Sequence, residues 1–424
     1  MKKANIVFIG AGSMSFGTQM LKDLFTTPAL AGATLSLVDI DTENLERIYG
    51  LARRMNEASG MDFRIQKSTE RRELLPGADY VINSLAIERC ELWKKDFRVP
   101  LKYGIKHCLG ENGGPGALFF TLRTIPLILE ICRDMEALCP DAWFLNFSNL
   151  ESRIVLAVNR YTKIKCVGLC HGIFGAGGSI ARIMGLGPGE IEITGAGLNH
   201  FQWILGIRRR EDNADLYPLL REKEAAYGEP GYLPLTRKLF RVFGYWPTCS
   251  DGHLGEYLPY GYEAGMHGYD FEVDEAGREQ RKKDIADVVE GRADISGWFR
   301  RSGEKAIDIM QALHTGERAY IPSAIVYNQG AIENLPGDLA VEIPVVVDGG
   351  GIVKTHVGKM PPAAAALMSL QIGAQQISVE AAVKGDKQIA LQALLVDPVI
   401  NDTEAAVKIL DELWEINRPY IRAF

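Results

Sequence analysis

The chain has 424 residues, 47% hydrophobic and 24% charged, with 47 Lys and Arg against 54 Asp and Glu and a formal net charge of −7. That length supports a core large enough for two lobes, and the acidic balance, with no basic run or basic amphipathic helix, argues against nucleic acid or a membrane surface as partner. The apolar run after Lys2-Lys3 stops at Gly10, too soon for a signal peptide, no uninterrupted apolar stretch reads as a membrane span, and seven cysteines without a pairing rhythm suit a reducing compartment, so a cytoplasmic globular protein is expected.

Residues 5–9 form a short apolar run, followed by Gly10-Ala11-Gly12-Ser13-Met14-Ser15 and a helical pattern through Leu24. A second apolar run, 34–38, ends at Asp39-Ile40-Asp41. Strand, glycine turn, helix and a second strand ending in an acid make one βαβ unit. Further runs at 80–84, 143–146 and 165–169 alternate with helical patterns. The expectation is an α/β protein whose residues 1–195 form a Rossmann-type, doubly wound parallel sheet. Beyond Gly195 amphipathic patterns dominate, over 215–227, 235–243, 278–289, 363–383 and 402–414. Strand-like stretches at 324–327 and 340–347 and a turn at Asp348-Gly349-Gly350-Gly351 interrupt them, so residues 196–424 are expected to form a mixed α+β lobe.

The glycine turn carries the first chemistry. Gly10 and Gly12, between strand and helix, free backbone N–H groups to face a pyrophosphate at a helix N-terminus, with Ser13 and Met14 completing the turn. Ser15 stands where a third glycine is usual and is small enough for close helix–strand packing. Asp39 is placed to accept hydrogen bonds from a ribose hydroxyl, which favours NAD over NADP. The gap from Gly12 to Asp39, 39 − 12 = 27 residues, exceeds the usual ~20, so an extended helix or loop is expected. The alternative is a tight turn that binds nothing.

Two later segments carry the rest. Cys170-His171-Gly172 follows the apolar run 165–169, at the strand edge where open α/β sheets place ligands. His200 closes Gly197-Leu198-Asn199-His200. One thiolate and one imidazole make a partial set for a divalent transition metal with positions left open for substrate; the alternative is a buried cysteine and hydrogen-bonded histidines. A third segment, Ser250-Asp251-Gly252-His253-Leu254-Gly255-Glu256-Tyr257, clusters ionisable groups beside glycines and offers a general base, or is a solvated loop.

Taken in order, these segments resemble glycoside hydrolase family 4, the NAD- and manganese-dependent glycosidases. The matching stretches are Gly10-Ala11-Gly12-Ser13, Val38-Asp39-Ile40-Asp41, Gly113-Gly114-Pro115-Gly116-Ala117 with Leu122-Arg123-Thr124-Ile125-Pro126, and Leu145-Asn146-Phe147-Ser148-Asn149. They continue with Gly168-Leu169-Cys170-His171-Gly172, Gly197-Leu198-Asn199-His200, Asp251-Gly252-His253 with Glu256-Tyr257-Leu258-Pro259, and Asn328-Gln329-Gly330 with Asn334-Leu335-Pro336. His171 after the metal cysteine points to the α-galactosidase, α-glucosidase and α-hexuronidase branch. The family usually reads Asn-Pro-Met where this chain has Asn149-Leu150-Glu151.

The resemblance implies a lactate/malate dehydrogenase-like architecture and a cytoplasmic homodimer or homotetramer acting on a small α-glycoside. It implies net hydrolysis by oxidation at C3, deprotonation at C2, elimination and addition of water, with NAD and Mn²⁺ or another divalent metal as cofactors. Cys170 and His200 would hold the metal. Asp251 would be the base, with His253 and Tyr257 as competitors, and His171 the acid beside the leaving oxygen. Asn149 and Arg123 would contact sugar or cofactor. An NAD-dependent 2-hydroxy-acid dehydrogenase shares the nucleotide-binding lobe, but needs a His and Arg pair and no thiolate ligand. A nucleotide-sensing protein without chemistry is the non-enzymatic rival.

Overall fold

Four consecutive apolar residues, Ile6 to Ile9, can all be buried only where a strand is covered on both faces. In the computed structural model, which describes residues 2–14, 16–248, 250–264 and 268–424, strand β1 (Asn5–Ile9) sends Ile6 and Phe8 into one hydrophobic cluster and Val7 and Ile9 into another. Around β1 lie β2 (Thr34–Val38), β3 (Arg64–Ser68), β4 (Tyr80–Asn83), β5 (Trp143–Asn146) and β6 (Lys165–Gly168). All pair in parallel, in the order β3-β2-β1-β4-β5-β6. This is the dinucleotide-binding order, and its direction reverses between β1 and β4, where open sheets bind ligands at their C-terminal edge.

The sheet does not stop at β6. It continues through β10 (Ala319–Tyr327), β11 (Ala340–Asp348), β7 (Ile191–Leu198), β8 (Phe201–Arg209) and β9 (Trp246–Pro247), all antiparallel, with β12 (Gly351–Lys354) also on β11. Among the described residues the two halves therefore share one 12-stranded sheet. The join is narrow: Ile325 opposite Gly168 and Glu342 opposite Gly197. Both strand-like stretches beyond residue 320 lie within β10 and β11, whereas the β7–β8 hairpin and edge strand β3 are additions to the sequence reading.

The amphipathic patterns of the second half form the helices Tyr217–Ala225, Pro234–Phe243, Phe271–Val289, Pro362–Lys384 and Thr403–Asn417. The 25-residue helix Gly114–Leu138 is long and apolar enough to cross a membrane, but 89% of that apolar stretch is buried inside the protein, where it is a core helix. Its glycine-rich start has a steric cause. A Cβ on Gly113 would lie 2.2 Å from the Glu256 carbonyl oxygen, so only glycine lets the helix end press against the segment that carries His253 and Glu256.

Candidate active site

The glycine turn is held from two directions. Gly10 has φ +74°, and a Cβ there would meet the Ser84–Leu85 backbone at 2.7 Å, so the position needs glycine. Its N–H and that of Ala11 both donate to the Val38 carbonyl, at 2.9 and 3.1 Å. Gly12 N donates to Asp39 Oδ2 at 2.8 Å, and Asp39 Oδ1 accepts from Asp41 N. Asp39 thus clamps the turn, and its burial pushes the carboxyl above the usual range. Ser13 Oγ accepts from Phe16 N at 3.3 Å, Met14 is buried, and Ser15 lies outside the described residues. The long gap to Asp39 is taken up by a single helical turn, Pro28–Leu30, inserted before β2.

Cys170 and His200 meet. Cys170 lies just beyond β6 and His200 at the tip of the β7–β8 hairpin, and Cys170 Sγ stands 3.0 Å from His200 Nε2. His200 has φ +61°, a backbone region that non-glycine residues populate sparsely and that clusters at functional sites. Glu151, first residue of the helix Glu151–Tyr161, completes a trio whose ligand atoms all lie within 4.8 Å of one another. Burial, then the neighbouring His253 and His171, pull the His200 pKa well down, which keeps the imidazole neutral as a metal ligand must be. Burial pushes the Glu151 carboxyl well up. His200 Nδ1 and Glu151 Oε2 are both buried without a hydrogen-bond partner. A thiolate, an imidazole and a carboxylate in this arrangement fit a divalent transition metal.

The remaining candidates divide. The His253 ring stacks on His200, centroids 4.1 Å apart, and its Nδ1 lies 3.0 Å from Glu256 Oε2. Glu256 Oε1 in turn accepts the backbone N–H groups of Glu111 and Asn112 at 2.6 and 2.7 Å. Burial works against protonated His253, but the hydrogen bond and charge of Glu256 outweigh it and raise its pKa. Tyr257 donates its hydroxyl to the Asn199 carbonyl at 3.1 Å, beside the metal-site turn. His171 stays largely exposed, 3.3 Å from Glu304, which raises its pKa. Asn149 is half-buried just past the C-terminal end of β5.

Two residues are not brought into this group. Asp251 Oδ1 accepts from Thr236 N at 2.9 Å and from Thr236 Oγ1 at 2.6 Å, and its Oδ2 accepts from Leu235 N at 3.0 Å. Its carboxylate caps the helix Pro234–Phe243. Arg123 is 1% exposed, bonded to Asp96 at 2.7 Å and Asn417 at 3.2 Å, with its guanidinium over the Phe120 ring. Burial lifts the Asp96 pKa to about 6 in spite of that partner. Arg123→Ala is expected to destabilise the protein by roughly 3–5 kcal/mol, because it strands a buried carboxylate. The double change Asp96→Leu with Arg123→Met should recover most of that loss. Urea unfolding midpoints check it, and a single variant as stable as the wild type would refute the buried pair.

Sequence reasoning left Glu151 and Glu304 without roles, and offered Glu256 only as one of the ionisable groups of residues 250–257 that could supply the base. The only signal for Glu151 was its departure from the residue usual at that position.

Residues 5–186 match the family 4 glycosyl hydrolase domain and residues 195–400 the family 4 glycosyl hydrolase C-terminal domain. The chain belongs to family 4 of the glycosyl hydrolases and is a glycoside hydrolase. It is 31% identical to an α-glucosidase of Erwinia rhapontici, covering 98% of both chains, and 33% identical to an α-galactosidase of Bacillus subtilis, covering 94% and 93%. Its fold matches the crystal structure of lplD from Bacillus subtilis with TM-score 0.89 at 25% identity, over 97% of this chain and 99% of that one. A 6-phospho-α-glucosidase from gut microorganisms, in complex with NAD and Mn²⁺, matches with TM-score 0.84 at 21% identity over the full length of both chains. Cryptosporidium parvum malate dehydrogenase shares the fold more distantly, with TM-score 0.51 at 14% identity over 89% and 98% of the two chains.

Proposed function

We propose that the protein is an NAD- and divalent-metal-dependent α-glycosidase acting on a neutral hexoside, an α-galactoside or an α-glucoside. The observation that carries the reading is the 3.0 Å thiolate–imidazole pair at the same sheet edge as the glycine turn. The α-glucosidase and α-galactosidase relatives, at 31–33% identity, favour a neutral sugar over the hexuronides of the α-galacturonidases, at 26–29%. When bound, NAD⁺ would supply reversible hydride acceptance at C3 and Mn²⁺ a Lewis acid toward the sugar oxygens.

Residues 1–195 would hold the dinucleotide through Gly10, Gly12, Ser13, Met14 and Asp39, and residues 196–424 would contribute His200 and the base. Cys170 and His200 would hold the metal, and Asn149 would orient the sugar. His253, aligned by Glu256 and packed on His200, is better placed to take the C2 proton than Asp251, which is committed to its helix. Tyr257 is the alternative base, and His171 beside Glu304 the acid. A cytoplasmic location and assembly as a homodimer or homotetramer follow from the family resemblance.

The test is hydrolysis of nitrophenyl α-galactoside, α-glucoside and α-glucuronide with NAD⁺, Mn²⁺ and reductant. Release of nitrophenol without net NADH is expected from one of the neutral pair. Stoichiometric NADH from a 2-hydroxy acid, with no glycoside cleaved, would sink the reading. If Asp39 faces the ribose, NAD⁺ should bind at least about tenfold more tightly than NADP⁺, whose 2′-phosphate would meet that carboxylate. Calorimetry showing the reverse order would remove Asp39 from this role.

A further inference from the structure

The family's usual Asn-Pro-Met has no side chain at its third position that could hold a hard cation tightly. This chain has Glu151 there, grouped with Cys170 and His200. Glu151 is 3% exposed, and its Oε2 is buried without a hydrogen-bond partner. A buried carboxyl with an unpartnered oxygen is costly to a folded protein, and it carries its charge there only if something positive compensates it. No basic side chain among the described residues makes an ion pair with it: Arg89, the basic group that acts on it, is paired with Glu111 at 2.7 Å, and Glu342 adds a further carboxyl nearby. What does lie within reach is the Cys170–His200 pair, with all three ligand atoms within 4.8 Å.

We infer that Glu151 is a third protein ligand, so that the divalent ion is held by thiolate, imidazole and carboxylate together. The inference rests on the metal site of the proposed function and goes beyond it. Two protein ligands leave an ion dependent on substrate oxygens for retention, whereas three hold it in the resting enzyme. Carboxylate oxygen also moves the donor set toward harder ions such as Mn²⁺. With Cys170 and Glu151 both anionic, the protein supplies two negative charges to a doubly charged ion. The occupied site is then electrically neutral before substrate arrives.

The experiment is Mn²⁺ titration of the NAD⁺-loaded, substrate-free full chain, followed by calorimetry and by the electron paramagnetic resonance of free Mn²⁺. Glu151→Gln is expected to weaken Mn²⁺ at least tenfold while NAD⁺ binding stays as in the wild type. Glu151→Met gives a second readout independent of affinity. It removes a buried carboxyl with an unpartnered oxygen, so without metal it should melt above the wild type, and Mn²⁺ should raise its Tm far less. Cys170→Ser is the control for the site itself. If Cys170→Ser loses Mn²⁺ but both Glu151 variants bind it within twofold of the wild type, this inference is overturned and the Cys170–His200 site stands. If all three variants bind as the wild type does, both fall. If only the Glu151 variants lose the ion, the carboxylate is a ligand and Cys170 is not.

Discussion

Hydrolysis run in D₂O is expected to leave deuterium at C2 of the released sugar. Removal of the C2 proton by a side chain, followed by its return from solvent, requires this exchange, whereas a displacement between two carboxylates leaves C2 untouched. A substrate deuterated at C2 should also turn over more slowly if proton removal is partly rate-limiting. Under the proposed function His253 is the expected base. His253→Gln keeps a polar group beside His200 but removes the imidazole that Glu256 aligns, and should slow the reaction by about 10²- to 10⁴-fold, the usual worth of a positioned base. Asp251→Asn should instead act mainly on stability, since its carboxylate caps the helix Pro234–Phe243, a contribution of roughly 1–2 kcal/mol. Only protium at C2 would eliminate the oxidation–elimination chemistry altogether. Deuterium at C2 with an unimpaired His253→Gln would pass the base to Tyr257, or back to Asp251 if Asp251→Asn alone is slow.

The second large effect concerns the metal. Cys170→Ser replaces a soft thiolate by a hydroxyl that binds transition metals poorly, and should cut turnover at least about 10³-fold, several kcal/mol of lost Lewis-acid stabilisation at 1.36 kcal/mol per tenfold. EDTA should abolish wild-type activity and Mn²⁺ restore it, and oxidants should inactivate the enzyme through the same sulfur. Full activity in Cys170→Ser after chelation would leave the 3.0 Å pair as a packing contact.

The first βαβ unit was legible because its signals are local: an apolar strand, a glycine turn and an acid at the end of the next strand. Edge strand β3, Arg64-Ile65-Gln66-Lys67-Ser68, was not, since an edge needs little burial and is blunted by charge rather than marked by apolar residues. The β7–β8 hairpin escaped for the opposite reason. Gly195 and Gly197 interrupt the apolar pattern of its first strand, and its two-residue turn is Asn199-His200 rather than Asn-Gly. Cys170 and His200 were legible as residue types with motif company, but their contact depends on the sheet. Glu151 carried no signal beyond its departure from the family's usual residue, because only the side-by-side placement of β5 and β6 carries it toward Cys170. The role of Asp251 was unreadable since the amides it accepts from, Leu235 and Thr236 at the start of the helix Pro234–Phe243, lie 16 and 15 residues earlier in the chain.

The placement of β10 and β11 between β6 and β7 has a consequence for synthesis. Cys170 and His200 are only 30 residues apart in the chain, and both have been made long before the strands that stand between theirs, Ala319–Tyr327 and Ala340–Asp348. A nascent or truncated chain ending before residue 319 contains every donor of the proposed metal site and lacks the spacer that sets their approach. Such a fragment could carry NAD-binding sequence and metal-binding side chains yet hold no assembled centre. The reactive thiol would thus meet its imidazole only after most of the polypeptide has been committed to the sheet, so the chemistry is switched on by the completion of the fold.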